Sequence, residues 1–339
     1  MPITLKYPEA EIEIEELPNG KRLIRVTSES LSIVPFDTQL ETAYSLELIE
    51  KVLETKGPSS LCDEIRREED PYYTKACLEK DILGYRAEQD FENKRILDFG
   101  CGGGASSVIL AKMFPHSEIV GIDLSKNAIS LAEFRAKYFN INNVSFLCSK
   151  NSKKLPDEIG DFDYILLSAV VEHLLPEERT VILSQLWSIL KPNGVIFINQ
   201  TPYRFFPFEG HTTRLPLINY LPDKLALICA RKFSKRVSPN ADWKKLLRRG
   251  IRGSHPKQIL DILKKSNPHF TPEILKPSRM GLRDRIDIWY NGYAICIAAK
   301  YQKVKRVQKI LRLVSKLIYS ITGIVVLPTV SVAILKKEK

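Results

Sequence analysis

The chain has 339 residues, 44% of them hydrophobic and 27% charged, which supplies a large core and excludes a disordered or fibrous chain. Six cysteines, at 62, 77, 101, 148, 229 and 296, include no C-x-x-C pair, so neither a disulfide scaffold nor a metal centre is expected, and reduced thiols in the cytoplasm are the plain reading. The net charge of +11 is uneven: residues 1–92 carry 11 Lys+Arg against 21 Asp+Glu, residues 93–223 carry 13 of each, and residues 224–339 carry 27 against 6. A basic end of that strength suits an anionic lipid surface or another phosphate-bearing partner, or is simply a solvated face. No basic segment followed by an apolar run opens the chain, so no signal peptide is expected.

Near the start, Ile12, Ile14, Leu23, Ile24 and Val26 alternate around Pro18-Asn19-Gly20, a hairpin signal. Apolar positions from Leu40 to Leu53 predict a helix over 38–55, broken by Gly57-Pro58-Ser59-Ser60. Residues 71–91 read as helical after Asp70-Pro71 and could cover a ligand or only pack.

The centre of the chain is Arg95-Ile96-Leu97-Asp98-Phe99-Gly100-Cys101-Gly102-Gly103-Gly104-Ala105. A short apolar run ends in an acid, glycines follow at every second position, and a helical pattern continues to Phe114. Glycines accept backbone angles that a Cβ forbids and let a ligand lie on bare backbone. Ile119–Asp123 is the second strand, and Ser125 or Asn127 caps the next helix. Val144–Cys148 is the third strand and Asp161–Ser168 the fourth, followed by Val171-Glu172-His173-Leu174. A helix opens at Pro176-Glu177-Glu178 and ends at Lys191-Pro192-Asn193-Gly194, before a fifth strand, Val195–Ile198. Alternating strands and helices imply an α/β fold with helices on both faces of a mostly parallel sheet. Ligands then bind outside the carboxyl ends of the strands, where Asp98, Asp123, Ser149, Ser168 to His173 and Gln200 to His211 converge.

Gly100-x-Gly102-x-x-Ala105 also fits a dinucleotide fingerprint, with Asp123 as the ribose acid. The series as a whole, from Asp98 through Asp123 and Glu172-His173 to Lys191–Gly194, resembles the class I S-adenosylmethionine-dependent methyltransferases, most closely the quinone-biosynthesis O-methyltransferase-like branch. The resemblance covers about residues 90–205. It implies a Rossmann-like sheet of seven strands, with S-adenosyl-L-methionine as cofactor. By that resemblance Gly100, Cys101, Gly102 and Gly104 pass beneath the methionine and ribose. Asp123 accepts the ribose hydroxyls, Leu124 packs on the adenine, and Asp98 and Ser168 complete the cradle. Many relatives carry an acid after the third strand; here Cys148-Ser149-Lys150-Asn151 stands there, and Ser149 or Asn151 is left to meet the adenine amino group. A carboxylate suits a diol because it accepts two charge-assisted hydrogen bonds. The competing reading for Asp123 is a helix cap, and for Asp98 a strand-end carboxylate that caps nearby N–H groups.

Methyl transfer asks mainly for alignment, and a base helps when the acceptor is a hydroxyl. His173, beside Glu172, and His211, in the aromatic loop 201–222, are the candidates; each could equally be structural. Arg204 and Arg214 are candidates for an acidic group on the acceptor. The expected acceptor is a small molecule, a lipid-linked intermediate or a glycan; nucleic acid is not favoured, since no RNA-binding module is present. The alternative function is an inactive methyltransferase-fold protein that binds a membrane or nucleic acid. A nicotinamide-dependent oxidoreductase is a third reading, opposed by Glu172-His173 and by the lack of a recognisable Tyr-Lys pair.

Arg285–Tyr290 and Tyr293–Ala298 flank Asn291-Gly292 and predict a closing hairpin. Residues 303–316 form a basic amphipathic pattern, and Leu317–Leu335 runs 19 residues without a charge. That tail reads as a membrane-inserted or membrane-lying segment, as a buried helix followed by a strand at Thr329–Leu335, or as a dimer contact. The expected organisation is an N-terminal cap (1–90), a methyltransferase core with the substrate loop and a basic insertion (91–300), and a tail (301–339).

Overall fold

The computed structural model describes residues 2–27, 38–157, 159–291 and 302–339. The acidic N-terminal segment is an antiparallel meander of β1 (Ile3–Lys6), β2 (Glu11–Glu16), β3 (Arg22–Thr27) and β4 (Gln39–Thr42). Period-two patterning turns Ile12, Ile14, Ile24 and Val26 inward and leaves the glutamates of β2 towards water. The helix expected over 38–55 is shorter than the sequence suggested. Leu40 pairs with Ile24 as part of β4, and α1 (Leu46–Lys56) begins only where the Ser45 side chain accepts the Leu48 N–H. α2 (Leu61–Glu69) and α3 (Ala76–Leu83) follow, with a tight kinked turn at Pro71–Lys75 between them. Leu48, Ile49, Val52, Leu61 and Ile65 pack beneath the meander and reach Leu131 of the central domain.

That domain alternates as expected: β5 (Arg95–Phe99), α4 (Ala105–Met113), β6 (Glu118–Asp123), α5 (Lys126–Tyr138), β7 (Val144–Cys148), β8 (Phe162–Ser168), α6 (Pro176–Ile189) and β9 (Leu190–Pro202). Ser125 caps α5, accepting the Ala128 N–H at 3.2 Å. An insertion follows, with the short pair β10 (Phe208–Glu209) and β11 (Leu215–Pro216), then α7 (Asp223–Phe233) and α8 (Trp243–Arg248). It has a small core of its own around Ile218, Ala226, Ala230 and Leu246. Its base is tied where Tyr203 bridges to Ser254 and the Arg204 N–H bonds the Ser254 carbonyl at 2.9 Å. α9 (Pro256–Ser266), β12 (Phe270–Ile274), α10 (Arg285–Asn291), the C-terminal helix Gln302–Thr322 and β13 (Thr329–Glu338) complete the described chain.

The central sheet has the order β12-β13-β9-β8-β5-β6-β7. β6, β7, β8 and β9 run parallel with β5, while β13 is antiparallel to both β9 and β12. α6 and α9 cover one face around Trp187; α3, α4 and α10 cover the other around Phe91, Tyr164 and Phe197. The chain reverses its order between β5 and β8, which opens a crevice at their carboxyl ends.

Two expectations are corrected at the C-terminal end. Arg285–Tyr290 is helical, not a hairpin strand. Asp284 accepts the Asp287 N–H at 2.8 Å, Asp287 accepts the Arg283 N–H at 3.2 Å, and this reciprocal capping starts a helix that buries Ile286, Ile288 and Trp289. Tyr293–Ala298, the other arm, lies outside the described residues. The antiparallel strands come from β12 and β13 instead. In the tail, the reading of a strand at Thr329–Leu335 added to the sheet is borne out, since β13 starts at Thr329 between β9 and β12, but the helix before it, which ends at Thr322 ahead of Gly323 at φ +68°, is exposed along one side rather than buried. Among the described residues no helix is long and apolar enough to cross a membrane.

Candidate active site

The glycine turn leaves β5 at the crevice. Gly100, Gly102 and Gly104 all take positive φ, +78°, +55° and +80°. Two of them are also sites of close approach. A Cβ on Gly100 would lie 2.5 Å from Val170 in the loop after β8, and one on Gly104 would lie 2.6 Å from Ala132 of α5. Gly102 differs: among the described residues only the Lys56 ammonium comes within 4 Å of a Cβ built there, at 3.6 Å. Its backbone is therefore bare on that side. The Cys101 thiol is turned into the fold against Gly121, and burial first, then Asp98 and Asp123, push it far above the usual thiol range.

Asp123 ends β6 beside this turn. Its Oδ2 accepts the Gly102 N–H at 3.0 Å and its Oδ1 the Ser125 N–H at 2.9 Å. Each carboxylate oxygen keeps a second acceptor site, so the group locks the turn and can still accept from a diol. Leu124, next to it, is half exposed. The helix-cap alternative belongs to Ser125 rather than to Asp123.

Three assigned positions have other work in the fold. Asp98 is buried and accepts from the Ser106 and Ser107 hydroxyls, both at 2.6 Å; burial raises its carboxyl above the usual range. It anchors the first turn of α4. Ser149 donates its N–H to the Asp123 carbonyl at 2.9 Å, and its hydroxyl reaches the Lys154 carbonyl at 3.4 Å. Arg204 gives its guanidinium to the Asn219 carbonyl, and so steadies the insertion. By contrast the Ser168 hydroxyl, and both ends of the neighbouring Asn199 amide on β9, are buried without a protein partner among the described residues. Such groups at strand ends beside a crevice expect a ligand or water.

The sequence did not mark the cap's share of the cradle. Arg135 of α5 is fully buried; it donates to the Gly103 carbonyl and pairs with Glu64 of α2 at 3.3 Å. Glu64, Arg135 and Lys56 thus bring the N-terminal cap onto the glycine turn. Their side chains lie far apart in the chain, and no spacing rule joins them.

After β8 the fold brings Glu172, His173 and His211 together. Their ligating atoms all lie within 4.8 Å of one another, and the two imidazole rings are 5.5 Å apart. His173 Nδ1 bonds the Arg248 carbonyl at 2.7 Å. A carbonyl only accepts, so Nδ1 carries the proton and Nε2 keeps its lone pair in the neutral ring. That Nε2 is 3.9 Å from Glu172 Oε1. Glu172 accepts from Thr201 Oγ1 at 3.1 Å, and among the described residues its Oε1 has no hydrogen-bond partner. Burial raises its carboxyl. His211 sits on a turn organised by Glu209, whose oxygens accept the His211, Thr212 and Thr213 N–H groups at 3.0, 2.8 and 2.6 Å. Burial lowers the His211 imidazole below its ordinary range. Gly250, with φ +90°, packs its backbone between the two elements; a Cβ there would lie 2.9 Å from His211 and 3.1 Å from Glu172. Glu209 and Gly250 are further positions that the sequence pattern did not single out. Although no metal centre was expected, a carboxylate and two imidazoles at this spacing could hold a divalent ion.

Residues 90–249 match the family described as a methyltransferase domain, and the crevice, the positive-φ glycines and the strand-end acid suit a methyltransferase of class I. Within that class the chain is similar to the ubiquinone biosynthesis O-methyltransferase of Pelagibacter ubique, 28% identical over 196 residues that cover 58% of this chain and 70% of the relative. It is 35% identical over 108 residues to the uncharacterized protein RP028 of Rickettsia prowazekii, which covers 32% of this chain and 43% of that one. Among solved structures, the plantazolicin methyltransferase BpumL in complex with SAH aligns over 86% of this chain and 94% of its own, with 17% identity and a TM-score of 0.45. The chain spans less than half the length of several of the curated relatives it matches.

Proposed function

We propose that the protein is an S-adenosylmethionine-dependent methyltransferase that methylates an oxygen of a small-molecule acceptor. The observation that carries this reading is the bare Gly102 backbone at the carboxyl end of β5, the strand beside which the sheet order reverses, locked to Asp123 at the end of β6. The residues fit the cofactor. Asp123 keeps acceptor sites for a ribose diol, Leu124 offers an apolar face, and Lys56 over Gly102 supplies a countercharge for an amino-acid carboxylate. When bound, the sulfonium supplies a methyl carbon to an oxygen nucleophile, and sulfur keeps the electron pair of the broken bond.

The chain's own part is to align the acceptor and take its proton. His211, held neutral by burial, and His173, with Nε2 free of the Arg248 contact, are both able to accept the hydroxyl proton. Glu172 Oε1 lies 3.9 Å from that Nε2, so the carboxylate and the two rings face the same small space. The similarity to quinone-biosynthesis enzymes supports a phenolic acceptor. A second reading rests on the same three side chains, which could hold a divalent ion that binds the acceptor oxygen and lowers its pKa.

A labelled-methyl assay on a cell extract, with mass spectrometry of the products, tests the proposal. Transfer to a small-molecule oxygen is expected, and label on nothing but protein or nucleic acid would contradict it. Chelation with EDTA separates the two readings, because activity that survives full chelation belongs to the base alone.

A further inference from the structure

The C-terminal helix is amphipathic in the reverse sense. Three of its polar side chains face the protein: Arg312 and Lys316 bond Asp287 at 2.6 and 2.8 Å, and the buried Ser315 hydroxyl donates to the Val326 carbonyl at 2.8 Å. Leu311 packs inward beside them, but four other apolar side chains face outward: Ile310, Leu313, Leu317 and Ile321 are 62%, 70%, 61% and 74% exposed. Their spacing, i, i+3, i+7 and i+11, makes one continuous stripe. Single exposed apolar residues are ordinary; a stripe three turns long is not.

The orientation is fixed by ion pairs. Burial pushes the Asp287 carboxyl up, but its bonds to Lys316, Arg312 and the Arg283 N–H outweigh that and hold it at about 2. The group therefore stays charged, and the tether it makes is present above the ordinary carboxylate range and is lost only as pH falls through about 2. Arg306 and Lys309 are exposed on the same helix. α7 repeats the pattern on a smaller scale: it buries Ala226 and Ala230, and exposes Leu225, Ile228 and Phe233 among Lys224, Arg231 and Lys232. Both helices join the edge that holds the crevice. α7 follows the Tyr220 turn, and the C-terminal helix leads to Pro328, whose carbonyl accepts the Tyr203 N–H at 2.9 Å.

We propose that the exposed stripe of the C-terminal helix docks on an anionic lipid bilayer, with the helix lying in the interface. Charge selects this occupant. Residues 224–339 carry 27 Lys+Arg against 6 Asp+Glu, so a two-fold contact of this face with its own copy would set like charge against like, whereas acidic headgroups supply anions for the rim and acyl chains for the stripe. The docking stands apart from the methyl-transfer reading, and it would turn the mouth of the crevice towards the membrane.

Co-sedimentation of the full-length chain tests this, with vesicles of phosphatidylcholine containing roughly a third phosphatidylglycerol, and with phosphatidylcholine alone. The protein should pellet with the anionic vesicles, and more weakly as salt is added. The double substitution Leu313→Glu and Leu317→Glu, on outward-facing positions, should weaken binding at least about tenfold at an unchanged melting temperature. Arg306→Glu with Lys309→Glu should weaken it only on the anionic vesicles. A wild-type chain that stays in the supernatant overturns the proposal. So does a Leu313→Glu/Leu317→Glu chain that binds as well as wild type. A dimer in velocity sedimentation that this double substitution dissolves, with no vesicle binding, would assign the stripe to a second copy. Titration of S-adenosylhomocysteine into the same variant separates the two proposals, since donor binding should be unaffected.

Discussion

The proposed donor half and the proposed acceptor half of the crevice are built in different ways. The centre of the donor half is one piece of chain, Asp98 to Ser107, which closes on Asp123 one strand away with a carboxylate bonded to the Gly102 N–H, and Lys56, Glu64 and Arg135 only surround it. The acceptor half is assembled from parts remote in sequence. His173 is fixed by a carbonyl 75 residues on, His211 by a turn inside the insertion, and Gly250 separates His211 from Glu172. A local cradle tolerates change elsewhere, whereas an assembled pocket can be lost from many positions and can be rebuilt for a new acceptor without disturbing the donor.

Substitutions should separate the halves. The largest effect belongs to the base: of His211→Ala and His173→Ala, the one that removes the proton acceptor should lower kcat by roughly 10²–10⁴. Donor affinity should stay within about twofold in calorimetry. An equal loss of donor binding would mean the two halves are one site. Because burial lowers the His211 imidazole, the acid limb of kcat/KM should fall below the ordinary histidine value of 6.5, and His211→Ala should abolish it. A limb above that value would assign the proton elsewhere.

Gly250→Ala should come next. A Cβ at positive φ costs about 1–2 kcal/mol and pushes His211 from Glu172, so kcat should drop by roughly tenfold while donor binding holds. The smallest effect is expected at the cap. Glu64→Gln leaves Arg135 without its charge partner behind Gly103, and should weaken donor binding a few-fold with kcat nearly unchanged. A fall in kcat alone would place the cap on the acceptor side.

The same contrast explains what could be read from the sequence. Strands, helix starts and the glycine turn of residues 95–202 were legible because each is specified within about ten residues by periodicity and caps. The role of Asp98 was partly hidden, because serines eight and nine positions on satisfy it. Arg285–Asn291 was misread because Asn291-Gly292 is a strong turn signal, while the opposing signal, Asp284 and Asp287 capping a helix, uses residues that also suit a loop. Leu40 on β4 was misread because an isolated apolar position fits either period. Glu209, Gly250, Lys56, Glu64 and Arg135 left no mark at all. Their importance comes from tertiary approach, which one sequence does not display.

The account rests most directly on Asp123. Calorimetric titration of S-adenosylhomocysteine into the wild-type chain and into Asp123→Ala is the decisive measurement. Wild type should bind this ligand and not NAD, and the variant should bind it about 2–3 kcal/mol more weakly, a loss of roughly 30- to 150-fold. Equal affinities for the two chains, or heat with NAD alone, would contradict it.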